Sequence, residues 1–447
     1  MPFTVGSLFA GVGGICKGFQ NARTNKASYQ LLWANEIDEF ACETYRTNFG
    51  HTLLQGDIEK IIHPTRIDDR IVELRESIKN EDDDEKGKLL EDELSALLTT
   101  RDNEFELFLA TGQRPVWLAT QNKTEEFDYY LDLRNQIIAN PIDVLNGGFP
   151  CQAFSIAGEQ HGFKDPRGNL FISIVDLIEL LGATHTVKDN AGNIIRNGKP
   201  RILFLENVKN LQSHDNGRTY KHIKKCLEDC GYTIFEKVLN TMEYSNLPQN
   251  RERIYIIGFR DANDAAKFNF FNPEVLATHK VKKDSKERAE DVKRIIDYTR
   301  TTANSEKYYY TREKYPHYFV TVDEFTGSEN DVRINLDEQV DEMYQFYQCR
   351  RGQYVRKNKS DVCPTLTANM GTGGHNVPLI KVKDGVRKIT PEEAFKLQGF
   401  PVGNGYQLPT EYAGRTYSDS HLYKQAGNAV SVPMIQMLAQ AILEIIQ

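Results

Sequence analysis

The sequence predicts an α/β fold, in which a mainly parallel sheet is joined to a second, smaller domain rich in loops and short strands. Three observations carry this prediction. Short apolar runs alternate with helical patterns as far as residue 265. A glycine-rich turn at residues 10–14 follows the first apolar run and precedes a helix, as in nucleotide-binding sheets. Beyond residue 265 the alternation stops, and clustered tyrosines and short strand-like runs replace it.

The composition is that of a soluble globular protein with reduced thiols. The 447 residues are 40% hydrophobic and 26% charged, which suits two or three domains. No apolar run approaches the roughly 20 residues of a membrane span, and no basic residue precedes Lys17 as a secretory signal requires. The seven cysteines are odd in number and none are spaced CxxC, so neither a disulfide framework nor a cysteine metal site is predicted.

The charge is unevenly distributed along the chain. The net charge is −8, yet residues 59–135 alone carry 20 acidic and 11 basic side chains. Apolar residues at helical spacing flank the acidic run 81–85, so this segment is predicted to be an inserted helical hairpin with no chemistry of its own. Residues 349–388 hold nine basic and two acidic side chains, which indicates either a phosphate-binding face or an ordinary solvated one.

The apolar pattern also predicts the individual elements. Strands are expected at 4–9, 30–34, 52–55, 142–145, 201–205, 233–239 and 254–259. Helices are expected at 14–19, from residue 39, at 170–181, from residue 390 and at 432–446. The helix after Thr390 has a capping box and Pro391 at its first position. The last helix is so apolar that it must pack back against the first sheet.

Acidic side chains follow the second and third predicted strands. Glu36 lies about 20 residues past the glycine-rich turn, where nucleotide-binding sheets hold a ribose hydroxyl. Asp57 follows the third strand. Because the carboxyl ends of parallel strands meet at one edge, these groups suit a nucleoside. The alternative is that Glu36 or Asp38 only caps the helix that starts near Glu39.

Three further segments carry candidate catalytic groups. Cys151 follows a strand and a sharp Gly-Gly-Phe-Pro turn, where a thiol serves as nucleophile, metal ligand or packing. The polar, glycine-bearing residues 152–168 have the composition of a lid. Glu206 ends a buried strand and is either functional or a helix cap. Arg251 and Arg253 share one face of an extended segment. There they would bind an anion or a base carbonyl, or else form surface salt bridges.

Together these segments resemble the DNA cytosine-5 methyltransferases, over nearly the whole chain and in the family's order. Residues 9–14 resemble the cofactor loop and residues 148–152 the nucleophile segment. Four further segments resemble the later motifs of the family, namely residues 206–208, 249–253, 387–401 and 425–430. Residues 150–260 are especially similar to the small bacterial restriction-modification members of the family.

The resemblance implies a domain organisation. A Rossmann-like sheet of the S-adenosylmethionine-dependent methyltransferases would occupy residues 1–265, with the helical acidic insertion at about 59–135. Residues 266–400 would form the target-recognition domain, and residues 401–447 would return to the catalytic domain. The insertion and the excursion near 182–200 depart from the family pattern without removing a motif residue.

The resemblance also implies covalent chemistry on a cytosine flipped out of duplex DNA. The thiolate of Cys151 would add to C6. Glu206 would contact N3 and the exocyclic amine, and Arg253 would bind the base carbonyl. Arg251 would steady the thiolate and its loop. No side chain is identified as the base that removes the C5 proton.

The implied ligands are S-adenosyl-L-methionine and double-stranded DNA, with no metal. Glu36 would hold the ribose of the cofactor and Asp57 its adenine amine. The full set of implied cofactor contacts is Phe9, Gly11, Gly13, Gly14, Glu36, Ile37, Asp57, Ile58, Pro150, Asn428 and Ala429. The implied DNA contacts are Gln152, Ser155, Arg167, Arg350, Arg351, Arg356, Thr365 and Leu366. The protein is expected to be a cytoplasmic monomer, encoded by a bacterium or a phage.

Three other functions remain to be weighed. An RNA cytosine-5 methyltransferase shares the fold, but the long basic segment 266–388 favours DNA. A catalytically inactive DNA-binding relative is opposed by the joint presence of Cys151, Glu206, Arg251 and Arg253. A nicotinamide dehydrogenase is opposed by the absence of GxGxxG from the first turn.

Overall fold

The computed structural model describes residues 2–81, 83–149, 169–189, 191–192, 194–300, 306–321, 324, 333–350, 353–372 and 376–447. Within these ranges the strands are β1 Phe3–Leu8, β2 Tyr29–Glu36, β3 Thr52–Gln55, β4 Val144–Gly147, β5 Val187–Lys188, β6 Ile194–Arg196, β7 Ile202–Val208, β8 Thr233–Asn240, β9 Glu252–Phe259, β10 Tyr309–Tyr310, β11 Tyr347–Arg350, β12 Tyr354–Lys357, β13 Leu379–Val382, β14 Gly385–Lys388, β15 Glu411–Tyr412 and β16 Arg415–Thr416.

The α-helices of the same ranges are α1 Gly14–Asn21, α2 Glu39–Asn48, α3 Ile58–Ile62, α4 Asp69–Asn80, α5 Asp84–Thr111, α6 Val116–Thr120, α7 Thr124–Ala139, α8 Asn169–His185, α9 Arg218–Asp229, α10 Thr241–Tyr244, α11 Ala262–Lys267, α12 Pro273–His279, α13 Ser285–Ile295, α14 Leu336–Gln339, α15 Pro391–Leu397, α16 Asp419–Asn428 and α17 Val432–Ile446. Short 3₁₀ turns lie at Pro64–Ile67, Lys209–Gln212, His214–Gly217, Glu306–Tyr308, Pro316–Tyr318 and Ala368–Gly371.

The larger sheet has seven strands in the order β3-β2-β1-β4-β7-β9-β8. All of them run parallel except β9, which is antiparallel to both β7 and β8. The reversal brings the first residues of β9 to the edge where β1, β2, β4 and β7 end, so that Val208 of β7 pairs with Arg253 of β9. The predicted α/β fold with a mainly parallel sheet is confirmed.

Both faces of this sheet are buried. Strand β7 shows this, because its successive residues 202–205 point to opposite sides of the sheet and all four are buried. Leu203 and Leu205 pack on one side in a cluster that also holds residues of α8 and α9. Ile202 and Phe204 pack on the other side with residues of α1 and α17. Helices α1 and α17 cross closely, since a Cβ on Gly18 would lie 2.4 Å from Cβ of Ile435.

Helix α17 therefore lies against the first sheet, although it comes last in the chain. The stretch Asp419–Ile446 contains a window of mean hydropathy 1.7, apolar and long enough to cross a membrane by composition alone. In the protein, 61% of that window is buried. Its apolar residues belong to the core cluster that covers the sheet. That burial is the behaviour of a core helix.

The second sheet has five strands in the order β10-β14-β13-β11-β12, all antiparallel. A buried ion pair joins it to α15. Arg387 of β14 is 0% exposed and donates to both carboxylate oxygens of Glu393, each at 2.8 Å. Glu393 also accepts the backbone N–H of Thr390, which completes the predicted capping box.

The insertion is larger than the predicted hairpin. The two predicted helices are α4 and α5, but α6 and α7 follow them before the chain re-enters the sheet at β4. The insertion has a small core of its own, formed by Ile67, Phe105, Leu118 and Phe127. The excursion near 182–200 contains the two-stranded hairpin β5–β6.

Candidate active site

A cavity of about 790 Å³ opens at the edge of the larger sheet where β1, β2, β3, β4 and β7 end. Residues of five of the six motif segments contribute to its wall, whereas none of residues 387–401 does. The lining includes Phe9, Gly11, Gly14, Glu36, Ile37, Asp57, Ile58, Gly148, Glu206, Arg251, Arg253, Asn428 and Ala429. The sequence-predicted groups therefore meet in one place.

The turn after β1 has left-handed backbone conformations and lines the cavity. Phe9, Gly11 and Gly13 have φ values of 53°, 54° and 82°. A side chain on Gly13 would place its Cβ 2.2 Å from the ring of Phe49, so glycine is needed there for space as well as conformation. A Cβ on Gly11 would meet nothing within 4 Å, because that residue faces the open cavity.

Glu36, at the end of β2, holds this turn in place. Its Oε2 accepts the backbone N–H of Gly11 at 2.7 Å. Its Oε1 accepts the N–H groups of Ile37 and Asp38, each at 2.8 Å. Burial raises the pKa of this carboxyl, and the three N–H donors oppose that rise. The capping role that was the alternative for Glu36 or Asp38 belongs to Asp38, which accepts the N–H groups of Phe40 and Ala41.

Apolar and acidic groups complete this half of the cavity. Ile37 is 63% exposed although it is apolar, and it lies on the cavity wall. Asp57 caps α3 by accepting the N–H of Glu59 at 3.0 Å, and burial raises the pKa of its carboxyl. Asn35, which the sequence did not single out, donates to the carbonyls of Leu54 and Gly56 and so fixes the end of β3 against β2.

Glu206 and Arg253 face each other on the other half of the cavity. Both point to the same side of the sheet, since Arg253 pairs with Val208, two residues from Glu206. Nε of Arg253 lies 3.1 Å from Oε1 of Glu206, and the two side chains are 13% and 9% exposed. The alignment is not that of a hydrogen bond, and no residue in the described ranges donates one to Oε1. The carboxylate is thus charge-paired yet keeps acceptor capacity.

Comparisons with known proteins identify the family of the chain. The sequence model described as C-5 cytosine-specific DNA methylase matches residues 3–73 and 117–444. The Type II methyltransferase M.Bsp6I of Bacillus sp. (strain RFL6) is 36% identical over 439 residues, 98% of both chains. M.HhaI of Haemophilus parahaemolyticus is 32% identical over 302 residues, 66% of this chain and 74% of its own.

The chain belongs to the C-5 cytosine-specific DNA methylase family. It is a DNA cytosine-5 methyltransferase, as the resemblance implied. Among solved structures, the S. pombe Dnmt2 methyltransferase superposes with a TM-score of 0.54 at 15% identity, covering 99% of each chain. That likeness shows the methyltransferase fold alone. Residues 74–116 of the insertion lie outside the family match.

In this methylase Arg251 is a buried anchor. It is 2% exposed, and its guanidinium donates to the carbonyls of Leu366 at 2.8 Å and Ala429 at 2.6 Å. Burial, reinforced by the charge of Arg253, lowers the pKa of Arg251 to about 9, so it stays protonated at neutral pH. Arg251 thereby ties β9 to the segment that holds Leu366 and to the segment before α17. Its predicted contact with the thiolate involves Cys151, which is outside the described residues.

The remaining predicted site residues are distributed as follows. Ala429 is 8% exposed and Asn428 is exposed, both on the cavity wall. Arg356 is exposed on β12. Thr365 donates its hydroxyl to the carbonyl of Asn250, and Leu366 is 1% exposed, a burial that does not favour its predicted contact with DNA. Outside the described part of the chain lie Pro150, Cys151, Gln152, Ser155, Arg167, Arg351 and the side chain of Arg350.

Proposed function

We propose that the protein binds S-adenosyl-L-methionine in this cavity and methylates C5 of a cytosine flipped out of a specific duplex DNA site. One observation carries the proposal. The Glu206–Arg253 pair, suited to a polar heterocycle, shares a single cavity with Glu36, Ile37 and Asp57, which suit an adenosyl group. The cofactor and the flipped cytosine would therefore lie next to each other in this cavity.

The residues at the β1–β2–β3 end fit the cofactor. The open space beside Gly11 admits a ligand against the backbone, and the exposed Ile37 offers a flat apolar surface to an adenine ring. Asp57 would accept a hydrogen bond from the adenine amine, while Glu36 would accept from the ribose with a carboxylate already fixed by three N–H donors. When bound, S-adenosyl-L-methionine supplies an electrophilic methyl group on a sulfonium.

At the other end, the chain activates the base. Cytosine C5 is a poor nucleophile until a thiolate adds at C6, which is the role proposed for Cys151. The addition moves charge towards N3, where the Glu206 carboxyl would share or deliver a proton. Arg253 would hold the carbonyl oxygen of the base and, through its charge, keep Glu206 oriented. Asn207 donates to the carbonyl of Phe149 at 2.9 Å and so fixes the chain two residues before Cys151 in sequence.

The DNA would be read by the second domain. Residues 349–388 carry nine basic and two acidic side chains, and β12 presents Arg356 and the half-exposed Tyr354 to solvent. Lys357 beside them binds Glu342 at 2.6 Å. Sequence is read by side chains at base edges, whereas phosphate contacts position the protein. We place the enzyme, as a monomer in the cytoplasm, in a bacterial or phage-encoded Type II system, where methylation protects the host site.

Bisulfite sequencing of DNA from cells that express the protein tests this function and identifies the target together. Wild type is expected to leave unconverted cytosines at one short recurring site. The variant Cys151→Ser is expected to leave none while still binding S-adenosylhomocysteine, since the thiol serves the base and not the cofactor. Methylation that survives Cys151→Ser, or that appears in tRNA and not in DNA, would contradict the proposal.

A further inference from the structure

Arg75 of helix α4 reaches the cavity from the insertion. It is part of the cavity lining together with Asp57, Ile58 and Glu59, although it lies in the segment that the family model does not match. Its side chain is 19% exposed. Its Nε is buried and has no hydrogen-bond partner in the described ranges, so the guanidinium has a free donor in a protein wall.

The contacts of Arg75 are directed at one carboxylate. Its two terminal nitrogens donate to both oxygens of Glu59, at 2.6 and 3.0 Å, in the bidentate arrangement that is the strongest form of this interaction. Arg66 adds a third bond to Glu59 at 2.9 Å. Glu59 is 6% exposed, and burial by itself would disfavour its charge, but the two arginines, with Arg75 first, lower its pKa. Glu59 is therefore a fixed anion inside the wall.

Glu59 connects Arg75 to the proposed adenine site. It is the second residue of α3, and its backbone N–H is the group that the Asp57 carboxylate accepts at 3.0 Å. Holding Glu59 at both of its carboxylate oxygens therefore holds the first turn of α3 and, with it, the carboxylate of Asp57. The contact between Arg75 and Glu59 therefore supports Asp57, the residue that would accept a hydrogen bond from the adenine amine of the cofactor.

We propose that Arg75 is a positioning residue for the adenosyl end of the cofactor, acting through Glu59 and Asp57, so that the insertion supplies part of the cofactor site. This inference rests on the proposed function, because it requires the adenosyl group to occupy this half of the cavity. It revises the interpretation of the insertion as a segment without chemistry.

The charges around Asp57 determine how the effect can be measured. Asp57 faces the carboxylate of Glu59, the ammonium of Lys60, the guanidinium of Arg75 and, from α7, Tyr130. Burial and Glu59 raise the pKa of Asp57, while Lys60 and Arg75 oppose that rise. Loss of the Arg75 charge raises this pKa further. Because the ionised carboxylate is the better acceptor for an amine, cofactor binding would then begin to fail at a higher pH.

The test is calorimetric binding of S-adenosylhomocysteine to the full chain across pH, without DNA. Arg75→Gln is expected to bind about tenfold more weakly than wild type at neutral pH, as for the loss of a charge-assisted bond. The acidic limb of its binding profile is expected to move to higher pH. Arg75→Lys keeps the charge, so its acidic limb stays at the wild-type position while its affinity falls less.

Arg70→Gln is the matched control, since Arg70 lies on the same helix but pairs with Glu73 and Glu93 at the surface. It is expected to behave as wild type. A merely structural role for Arg75 predicts a lower melting temperature with no movement of the acidic limb, and that result overturns the inference. An acidic limb that moves equally in Arg75→Lys overturns it as well. If wild type itself does not bind S-adenosylhomocysteine, the proposed function fails first.

Discussion

Two glutamates stand at the same edge of one sheet and are held in opposite ways. Glu36, at the end of β2, accepts three backbone N–H groups and has no cation among the described bonds to its side chain. Glu206, in β7, faces a cation, Arg253, and its Oε1 lacks an aligned donor among the described residues. One carboxylate is satisfied by the loop that it shapes. The other is paired by charge but still has capacity to bind.

The difference separates a group that organises a site from a group that acts on a ligand. A carboxylate held in place by fixed backbone donors gains little from a change in the charge of its ligand, and its loss distorts the turn that it holds. A carboxylate beside a buried cation responds strongly when charge develops nearby, because the wall excludes water. The β1–β2–β3 half is therefore expected to control affinity for the cofactor, and the β7–β9 half to control rate.

The largest expected effect is on Glu206. Glu206→Gln keeps the shape but not the acid, so the single-turnover rate of methylation is expected to fall by about 100- to 1000-fold. DNA affinity and S-adenosylhomocysteine affinity should change little, because the proton matters only as charge develops on the ring. The measurements are rapid-quench kinetics and equilibrium binding. A loss of DNA affinity as large as the loss of rate would make Glu206 a binding residue.

Arg251 and Arg253 sharpen the comparison, since they are two residues apart on one strand. Arg251→Met leaves the buried carbonyls of Leu366 and Ala429 without their donor and is expected to cost about 2–4 kcal/mol of unfolding free energy. Arg253→Met is the matched variant, expected to cost less stability and more rate. Urea unfolding and single-turnover kinetics measure both. If Arg251→Met lost activity at unchanged stability, Arg251 would act on the chemistry, as the family resemblance implied.

A smaller effect is expected at Glu36. Glu36→Gln removes one acceptor from the three N–H groups that shape the turn, and the affinity for S-adenosyl-L-methionine is expected to fall about tenfold. The rate at saturating cofactor should stay within about threefold of wild type. Glu43→Gln, on α2 and away from the cavity lining, serves as the control. A fall in the saturated rate comparable to that of Glu206→Gln would erase the distinction between the two halves.

The smallest effect on methylation of the recognised DNA sequence is expected from substitutions in and near the second sheet. Arg356→Ala should relax discrimination at one base pair by about 1–3 kcal/mol if the guanidinium reads a base edge. Lys359→Ala, a nearby exposed cation, should instead weaken binding to all sequences alike and reduce the salt dependence. Methylation of a library of variant sites measures both. Equal loss on every site with Arg356→Ala would assign that residue to the phosphates.

Much of this site could be predicted from the sequence because the chemistry sits at strand ends. Glycines, Glu36, Asp57 and Glu206 follow recognisable apolar runs, so their meeting at one edge follows from parallel strands. The direction of β9 could not be predicted, because an apolar run does not encode which way its strand points. That direction is what brings Arg253 opposite Val208.

Contacts between residues far apart in the chain could not be predicted from the sequence either. Arg251 binds carbonyls at residues 366 and 429, more than 100 positions away, and the side chains there give no signal for a backbone contact. Arg75 lies in a segment whose composition is that of a solvated surface, so charge alone argued against a place in a cavity wall. The predicted strands also ended a few residues early: β2 includes Glu36 and β7 includes Glu206, because pairing with neighbours, not apolarity, ends a strand.

The division of one cavity into a cofactor half and a base half is tested most directly by covalent trapping. A duplex with 5-fluorocytosine at the target position captures the enzyme after methyl transfer, since fluorine blocks the final proton removal. At saturating S-adenosyl-L-methionine, peptide mapping should place the adduct of wild type on Cys151. Glu36→Gln should form that adduct at nearly the wild-type rate and Glu206→Gln about 100-fold more slowly. Equal slowing in both variants, or an adduct on another cysteine, would contradict the account.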